Sequence, residues 1–211
     1  MKRIKVLLVE DDPSWEEMVS HFLNREPDLV VVGTVQTKED ALHIVRMLEI
    51  DVVLMDAMLN GNGLNSIATA LEIHALHTAK MIMFTFMDHR EFILEAFSNG
   101  VTDYIVQAHA EDIPAAVRAV HGEQSSIHFV AAGVLRQEFI RMKQMELRTS
   151  LTAAESSILR FIYEGSTQSE IMKNLHISES TIKKHVSRII RKMQVHTSKE
   201  AAQKASMKGI L

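Results

Sequence analysis

The stretch IKVLLVEDD at residues 4–12 is an apolar run that ends in three carboxylates. Four similar apolar runs follow within the first 120 residues, at 29–32, 52–55, 81–84 and 104–106. Helical patterns lie between and after these runs, near 14–25, 38–49, 63–76, 89–98 and 111–121. Five strands alternating with five helices predict an α/β doubly wound fold, a five-stranded parallel sheet with helices on both faces.

The charge distribution divides the 211-residue chain into two halves. Residues 1–122 carry 9 Lys and Arg against 19 Asp and Glu, a net charge of -10, whereas residues 149–211 carry 10 against 5, a net charge of +5. An acidic half followed by a basic half predicts two domains, the second of which faces a polyanion. Chance surface composition is the alternative explanation.

Several protein classes are excluded by what the sequence lacks. There is no cysteine, which excludes disulfides and thiolate metal sites. No stretch reaches the roughly 20 apolar residues of a membrane span. The apolar run near the start ends at Glu10, which is too short for a signal peptide, and it has no small-residue cleavage site. We therefore expect a cytoplasmic protein with no membrane partner.

Polar side chains follow the predicted strands where each strand ends. Glu10 and Asp11 follow the first strand, and Asp56, Thr85 and Gln107 follow the third, fourth and fifth. Ligands of open parallel sheets bind beyond the carboxyl ends of the strands. Crowded carboxylates repel one another and need a cation, and an oxygen-only ligand set favours Mg²⁺. Each residue alone also fits a turn or helix-cap role, so the prediction depends on the combination.

The second half contains signals for three short helices. Thr152–Glu155 and Thr167–Glu170 each have the form of a capping box, and Ser178 is a third N-cap after a break at 174–176. In the third helix Ile182, Val186, Ile189 and Met193 form one apolar stripe. Basic residues fall outside that stripe. The pattern predicts a small all-α helix-turn-helix domain whose second helix enters the major groove of double-stranded DNA; an ordinary bundle with a solvated cationic face is the alternative.

The segment between the halves is assigned as a linker over residues 123–148. It contains Ser125 and Ser126, a possible short strand at 127–130, and a helical pattern over 134–148 with apolar residues at 135, 139, 142 and 145. This helix either packs on its own domain or acts as a connector that transmits a switch or pairs with a second chain. The sequence leaves both readings open.

The first half resembles the receiver domain of two-component response regulators. The resemblance is carried, in the family's order, by Val9-Glu10-Asp11-Asp12, Val53-Leu54-Met55-Asp56, Phe84-Thr85 and Asp103-Tyr104-Ile105-Val106. It implies that Asp56 accepts a phosphoryl group from a sensor histidine kinase. It also implies a Mg²⁺ site with the acidic pair Glu10 and Asp11, in which Asp11, Asp56 and the backbone carbonyl of Met58 are direct ligands.

The same resemblance implies a switch beside the phosphoryl group. Thr85 would bond a phosphoryl oxygen and move toward it, and Tyr104 would change rotamer when Thr85 moves. Phosphorylation adds about -1.5 to -2 charges and three acceptor oxygens, which is sufficient to bias a bistable loop and helix.

Three features depart from the receiver pattern. Gln107 stands where the family usually has Lys, and Gln donates hydrogen bonds but cannot neutralise charge. The loop at 57–63 lacks the usual Pro near position 60 and is one residue short, and Phe86 stands where a small residue is common. An alternative is therefore a receiver controlled without stable phosphorylation, as a constitutive dimer or by a ligand or partner protein.

An enzymatic function is the remote alternative. A Mg²⁺-dependent phosphohydrolase would use Asp56 as nucleophile, but such enzymes commonly carry a second Asp two residues further on, where this chain has Met58. We therefore expect that the protein is not an enzyme.

Residues 149–205 resemble the LuxR-type (NarL/FixJ) DNA-binding domain, and this is the most specific signal in the chain. The motifs are Leu151-Thr152-Ala153-Ala154-Glu155, Glu170-Ile171, Leu175-His176-Ile177-Ser178-Glu179, Thr181-Ile182-Lys183-Lys184-His185 and Lys192-Met193-Gln194-Val195. The resemblance implies that Lys183, Lys184 and Ser187 face bases. It places Thr181, Arg188 and Lys192 at phosphates.

The resemblance also implies a homodimer. The final helix, near 198–208, carries Ala201, Ala202, Ala205 and Met207, and small side chains permit close approach of helices. A two-fold dimer would read a roughly palindromic site. The domain prediction is a receiver at 1–122, the linker at 123–148 and the LuxR-type domain at 149–211.

Overall fold

The computed structural model describes residues 3–59, 63–76, 79–122 and 127–211. The chain forms two compact units, Met1–Arg136 and Gln137–Leu211. The boundary between the units falls inside the segment 123–148 that the sequence assigns to a linker. The loop residues 60–62, on which the predicted loop shortening depends, and the linker residues Ser125 and Ser126 lie outside the described part of the chain.

The first unit is built on a five-stranded parallel sheet. Its strands are β1 (Ile4–Val9), β2 (Leu29–Val35), β3 (Val52–Asp56), β4 (Lys80–Thr85) and β5 (Asp103–Val106), in the order β2-β1-β3-β4-β5. The connecting helices are α1 (Pro13–Asn24), α2 (Lys38–Met47), α3 (Gly63–Leu76) and α4 (Arg90–Ser98), and α5 (Ile113–His121) follows β5. The predicted doubly wound α/β fold is confirmed.

Helices cover both faces of this sheet and form one apolar core on each. Ala41 and Val45 of α2, Ile73 of α3 and Ile93 of α4 pack on one face. Helices α1 and α5 cover the other. All five residues of β3 are buried, as expected of a central parallel strand. The sequence order of the strands reverses between β1 and β3, and their carboxyl ends therefore flank the crevice in which such sheets bind ligands.

One local expectation in the first unit is corrected, and another is confirmed with a shifted start. The predicted short strand at 127–130 is wrong, because helix α6 (Phe129–Ser150) begins within it and buries Ala131 against the core. The helix predicted over 111–121 is preceded by a 3-10 helix at Gln107–Asp112 with a non-helical residue, His109. Pro114 then fits the first turn of α5, where its missing N–H leaves no hydrogen bond unmade.

The second unit is all-helical, and its helix starts follow the predicted caps. Its helices after α6 are α7 (Ala153–Tyr163), α8 (Gln168–Leu175), α9 (Glu179–Met193) and α10 (Ser198–Met207). Both capping boxes are formed, and Ser178 accepts a hydrogen bond from the Thr181 N–H at the start of α9. In the predicted stripe Ile182, Ile189 and Met193 are fully buried, and Val186 packs beside them. The small all-α domain is thus confirmed.

Among the residues described, there is no helix with both the length and the apolar character needed to cross a membrane.

Candidate functional site

Three carboxylates converge at the carboxyl end of the sheet. Glu10 and Asp11 follow β1, and Asp56 ends the adjacent strand β3. One carboxylate oxygen of each lies within 4.8 Å of the others. Glu10 and Asp56 are 2% and 6% exposed, so they meet with little solvent to screen their repulsion. The remaining acid of this stretch, Asp12, caps α1 by accepting a hydrogen bond from the Ser14 N–H at 2.8 Å.

The environment of this acidic pocket shifts the pKa values of Glu10 and Asp56. Burial raises the pKa of Glu10 to about 7, and the charges of Asp56 and Asp11 add to the rise; a hydrogen bond from the Asp12 N–H acts in the opposite direction. Burial also raises the pKa of Asp56, against hydrogen bonds from the Met58 N–H and the Thr85 hydroxyl. The pocket without a cation therefore favours an additional proton near neutral pH.

Two buried oxygens of this pocket have no hydrogen-bond partner, Glu10 Oε2 and Asp56 Oδ1. Buried polar atoms are normally paired, so unpaired carboxylate oxygens that face a shared crevice indicate a place for a cation. Three carboxylates in a cysteine-free crevice suit a hard dication that prefers oxygen, such as Mg²⁺. The residues present therefore fit the metal that the sequence predicts.

The two predicted switch residues are joined through the loop after β4. Thr85 is fully buried, and its hydroxyl accepts a hydrogen bond from the Met87 N–H at 3.3 Å. The phenol of Tyr104, also fully buried, donates to the Met87 carbonyl at 2.8 Å. A displacement of Thr85 would thus reach Tyr104 through the backbone of Met87.

The mouth of the pocket contains the two side chains that depart from the receiver pattern. Phe86 and Gln107 line the crevice together with the acidic residues, Trp15 and Met58. Phe86 is 66% exposed, so its ring lies at the entrance rather than in the core. No Lys or Arg is among the described residues that line this crevice. Gln107 accordingly brings an uncharged amide to the position where the receiver family usually has a Lys.

The second candidate site is the solvent-facing side of α9. Its predicted base-facing residues Lys183, Lys184 and Ser187 are exposed, as is Arg188. Together with Arg191, which the family resemblance did not assign to DNA, they line one shallow groove. Lys183 is held by Glu179, one turn earlier, at 2.6 Å, but both side chains are about two-thirds exposed. The pair is therefore weak enough to exchange for a phosphate or a base.

Lys192 occupies a different environment from its predicted neighbours. Its ammonium lies 2.6 Å from Oε2 of Glu155, and the side chain of that carboxylate is only 2% exposed. Burial alone would raise the pKa of Glu155, but hydrogen bonds from Lys192 and from the Thr152 N–H lower it below its usual value. Lys192 thus neutralises the glutamate of the first capping box and links α9 to α7.

The alanines of α10 pack against other helices of the same chain. Ala201, Ala202 and Ala205 are buried and pack in the same core as α7 and α9. The close helix approach that small residues permit is therefore intramolecular here. The side chain of Met207, 88% exposed, remains available on this helix.

The fold and the two sites together define a class of protein. An acidic pocket at the switch point of a doubly wound sheet, followed by a helix-turn-helix with a basic outer face, is the architecture of a DNA-binding response regulator. Residues 6–118 match the family of the response regulator receiver domain, and residues 149–205 match the bacterial regulatory proteins of the luxR family. The chain belongs to the LuxR-type response regulators, which are transcription regulators.

Individual relatives resemble the chain along almost its whole length. The response regulator protein VraR of Staphylococcus saprophyticus is 33% identical over 94% of this chain and 94% of its own. The nitrate/nitrite response regulator NarL of Escherichia coli is 29% identical over 93% of this chain and 92% of its own. A structure of two RcsB dimers bound to two parallel DNAs shares the fold, with a TM-score of 0.56 and 18% identity over 97% of this chain and 98% of that one.

Proposed function

We propose that phosphorylation of Asp56 by a sensor histidine kinase controls how the helix-turn-helix domain binds double-stranded DNA. The observation that carries the proposal is the convergence of Glu10, Asp11 and Asp56 within 4.8 Å, with the Thr85 hydroxyl hydrogen-bonded to the Asp56 carboxylate. A nucleophilic carboxylate, a metal-binding pair and a hydroxyl then lie in one crevice.

In this proposal Asp11, Asp56 and the backbone carbonyl of Met58 would hold Mg²⁺, with Glu10 in the acidic pair. When bound, the ion offsets the negative charge of the carboxylates and of an incoming phosphoryl group. A carboxylate oxygen of Asp56 forms a bond to phosphorus, and the bond from phosphorus to the kinase histidine breaks. Thr85 turns its hydroxyl to the new phosphoryl oxygen. Tyr104 then changes rotamer, because both side chains are hydrogen-bonded to the backbone of Met87.

For DNA we assign Lys183, Lys184 and Ser187 to base edges and Thr181 and Arg188 to phosphates. These side chains are at least partly exposed on α9. Lys192 supports this surface indirectly: its ammonium forms an ion pair with Glu155 and so links α9 to α7. A homodimer would present two such helices to a two-fold site.

The acceptor is tested with acetyl phosphate and Mg²⁺ on the full chain, with covalent phosphate measured by intact-mass spectrometry. The wild type is expected to gain one phosphoryl group, and Asp56→Asn is expected to gain none. Asp51→Asn is the matched control: Asp51 lies just before the opposite end of β3, where its carboxylate accepts a hydrogen bond from the Lys5 N–H, a role that an amide oxygen can also fill. Labelling that persists in Asp56→Asn would contradict the assignment.

Control without stable phosphorylation is the second candidate, and a specific observation favours it. No Lys or Arg is among the described residues lining the pocket, and Asp56 is only 6% exposed in a crevice that Phe86 also lines. This candidate predicts that neither a phosphodonor nor Asp56→Asn changes DNA affinity. The phosphorylation model predicts that a phosphodonor changes the affinity of the wild type and not that of the variant.

The recognition surface is tested by fluorescence anisotropy with operator DNA. A Lys183→Ala, Lys184→Ala double variant is expected to weaken binding by roughly 1–3 kcal/mol for each side chain that reads a base. Affinity should also fall steeply with salt, because binding to phosphates releases counterions. Lys208→Ala, an exposed lysine outside α9, is the control. Undiminished binding by the double variant would exclude α9 as the recognition helix.

A further inference from the structure

A second cluster of metal-ligating side chains lies in the first unit, outside the acidic pocket. It contains His109 and Asp112 of the 3-10 helix and His128, the residue before α6. One ligand atom of each residue lies within 4.8 Å of the others. His128 Nε2 is 3.1 Å from Oδ2 of Asp112.

The backbone holds the cluster in place from two sides. The His128 N–H donates to Oδ1 of Asp103 at 2.8 Å, and Asp103 is 1% exposed at the start of β5. His109 has a non-helical conformation, φ -123° and ψ 37°, which interrupts the 3-10 helix at this residue. The two histidines are thus brought together by a kink and by a fixed backbone, although they are far apart in sequence.

His128 is not fully satisfied by protein contacts. Its side chain is 7% exposed, and its Nδ1 atom is buried without a hydrogen-bond partner. Phe129 covers the imidazoles: its ring centroid lies 4.3 Å from that of His128 and 4.9 Å from that of His109. The cluster is therefore partly enclosed rather than a set of solvated surface residues, and Nε2 is the ring nitrogen of His128 that faces Asp112.

The donor set selects the kind of ion. Two imidazoles and one carboxylate suit zinc and neighbouring transition metals, whereas Mg²⁺ prefers oxygen ligands throughout. Ligand atoms on one tetrahedral Zn²⁺ ion lie about 3.3 Å apart, given bonds of 2.0–2.1 Å. The observed separation of Nε2 and Oδ2 is close to this value, and side-chain rotation of the half-buried His109 can bring the third ligand in.

The geometry points to a zinc-type transition-metal site formed by His109, Asp112 and His128, separate from the acidic pocket. Three protein ligands leave a fourth coordination position for water or another small ligand. Occupation of the site joins the 3-10 helix after β5 to the start of α6.

The test is titration of the metal-free full chain with Zn²⁺ by isothermal calorimetry, with Mg²⁺ at saturation to fill the acidic pocket. The wild type is expected to bind one Zn²⁺ per chain with an affinity at least about tenfold above that of His109→Gln, Asp112→Asn and His128→Gln. His43→Gln, which removes an exposed histidine from α2, is the matched control and should bind as the wild type does.

Co²⁺ gives a second readout, because its visible absorption reports the ligand geometry. A band that appears in the wild type and in Asp56→Asn, and is absent from His109→Gln, supports a site independent of the acidic pocket. If His128→Gln fails to fold by circular dichroism, His109→Gln decides, since His109 is only half-buried. Equal Zn²⁺ binding by the wild type and His109→Gln, or equal losses in His109→Gln and His43→Gln, would overturn the proposal and leave the cluster as aromatic packing.

Discussion

Replacement of Lys192 by methionine is expected to destabilise the helix-turn-helix domain rather than to remove a DNA contact. The ammonium of Lys192 lies 2.6 Å from Oε2 of Glu155, a residue that is 1% exposed. Methionine keeps most of the aliphatic stem and removes the charge. The buried carboxylate of Glu155 then has no cation.

The structure sets the size of this effect. Removing one partner of a fully buried ion pair costs about 3–5 kcal/mol. The Lys192 side chain is 28% exposed, so solvent screens part of the loss, and about 2–3 kcal/mol is the expected decrease in the free energy of unfolding. For a domain of this size that corresponds to a decrease in Tm of about 10–20 °C.

Thermal unfolding of the full chain, followed by two probes, measures the effect. The single tryptophan, Trp15, lies in α1, so its fluorescence reports the receiver unit alone, whereas far-ultraviolet circular dichroism reports both units. Lys192→Met should lower the Tm of the circular-dichroism transition that belongs to the helix-turn-helix domain. It should leave the Tm of the tryptophan transition unchanged. Lys184→Met, an exposed lysine on the same helix, should change neither by more than about 0.5 kcal/mol.

The pH dependence distinguishes this account from a general loss of packing. The pKa of Glu155 is lowered in the wild type, so the pair contributes stability above the ordinary pKa of the glutamate and loses it as pH falls through the lowered value. The destabilisation by Lys192→Met should therefore be smaller at pH 4 than at pH 7, and a Glu155→Gln, Lys192→Met variant should recover part of it. Wild-type stability together with weakened DNA binding would refute the reasoning and return Lys192 to the phosphate contacts.

Three further predictions concern the acidic pocket. Burial raises the pKa of Glu10 to about 7, so protonation of this side chain stabilises the metal-free fold, fully below about pH 4.5. The free energy of unfolding in urea, followed by Trp15 fluorescence, should therefore decrease by up to about 3 kcal/mol between pH 5 and 8. Mg²⁺ should remove this decrease. Gln107→Lys places an ammonium in the pocket and should raise metal-free stability at pH 8 in the same assay, whereas Gln107→Met should not. Phe86→Ala opens the entrance and should increase the rate of labelling by acetyl phosphate, measured by mass spectrometry; an unchanged rate would show that this ring does not limit access.

The strand-end carboxylates and the helix caps were predictable from the sequence because both depend on short-range order. A parallel strand delivers its last residue to a known edge, as Asp56 shows, and a capping box such as Thr152–Glu155 spans only four residues. The strand predicted at 127–130 failed for the opposite reason. A short apolar run fits either a strand or the start of a helix, and here the burial of Ala131 selects the helix.

Contacts between distant residues gave no signal in the sequence. Lys192 and Glu155 are 37 positions apart, and the resemblance to the LuxR-type domain placed Lys192 at a phosphate. His128 contacts Asp112, which is 16 positions away, and no periodic pattern in the sequence predicts this contact. The alanines of α10 predicted close helix packing, and within the chain they pack in one core with α7 and α9. The homodimer stays a prediction, because an alanine face fits a neighbouring helix of the same chain as well as a second copy.

Helix α9 lies between two residues with left-handed backbone. His176, after α8, has φ 51° and ψ 43°, and Gln194, after α9, has φ 51° and ψ 56°. Glycine adopts this conformation freely, whereas residues with a β-carbon incur a cost of about 1–2 kcal/mol. Glycine at these two positions is therefore expected to raise the Tm of the domain without altering the exposed basic side chains of α9.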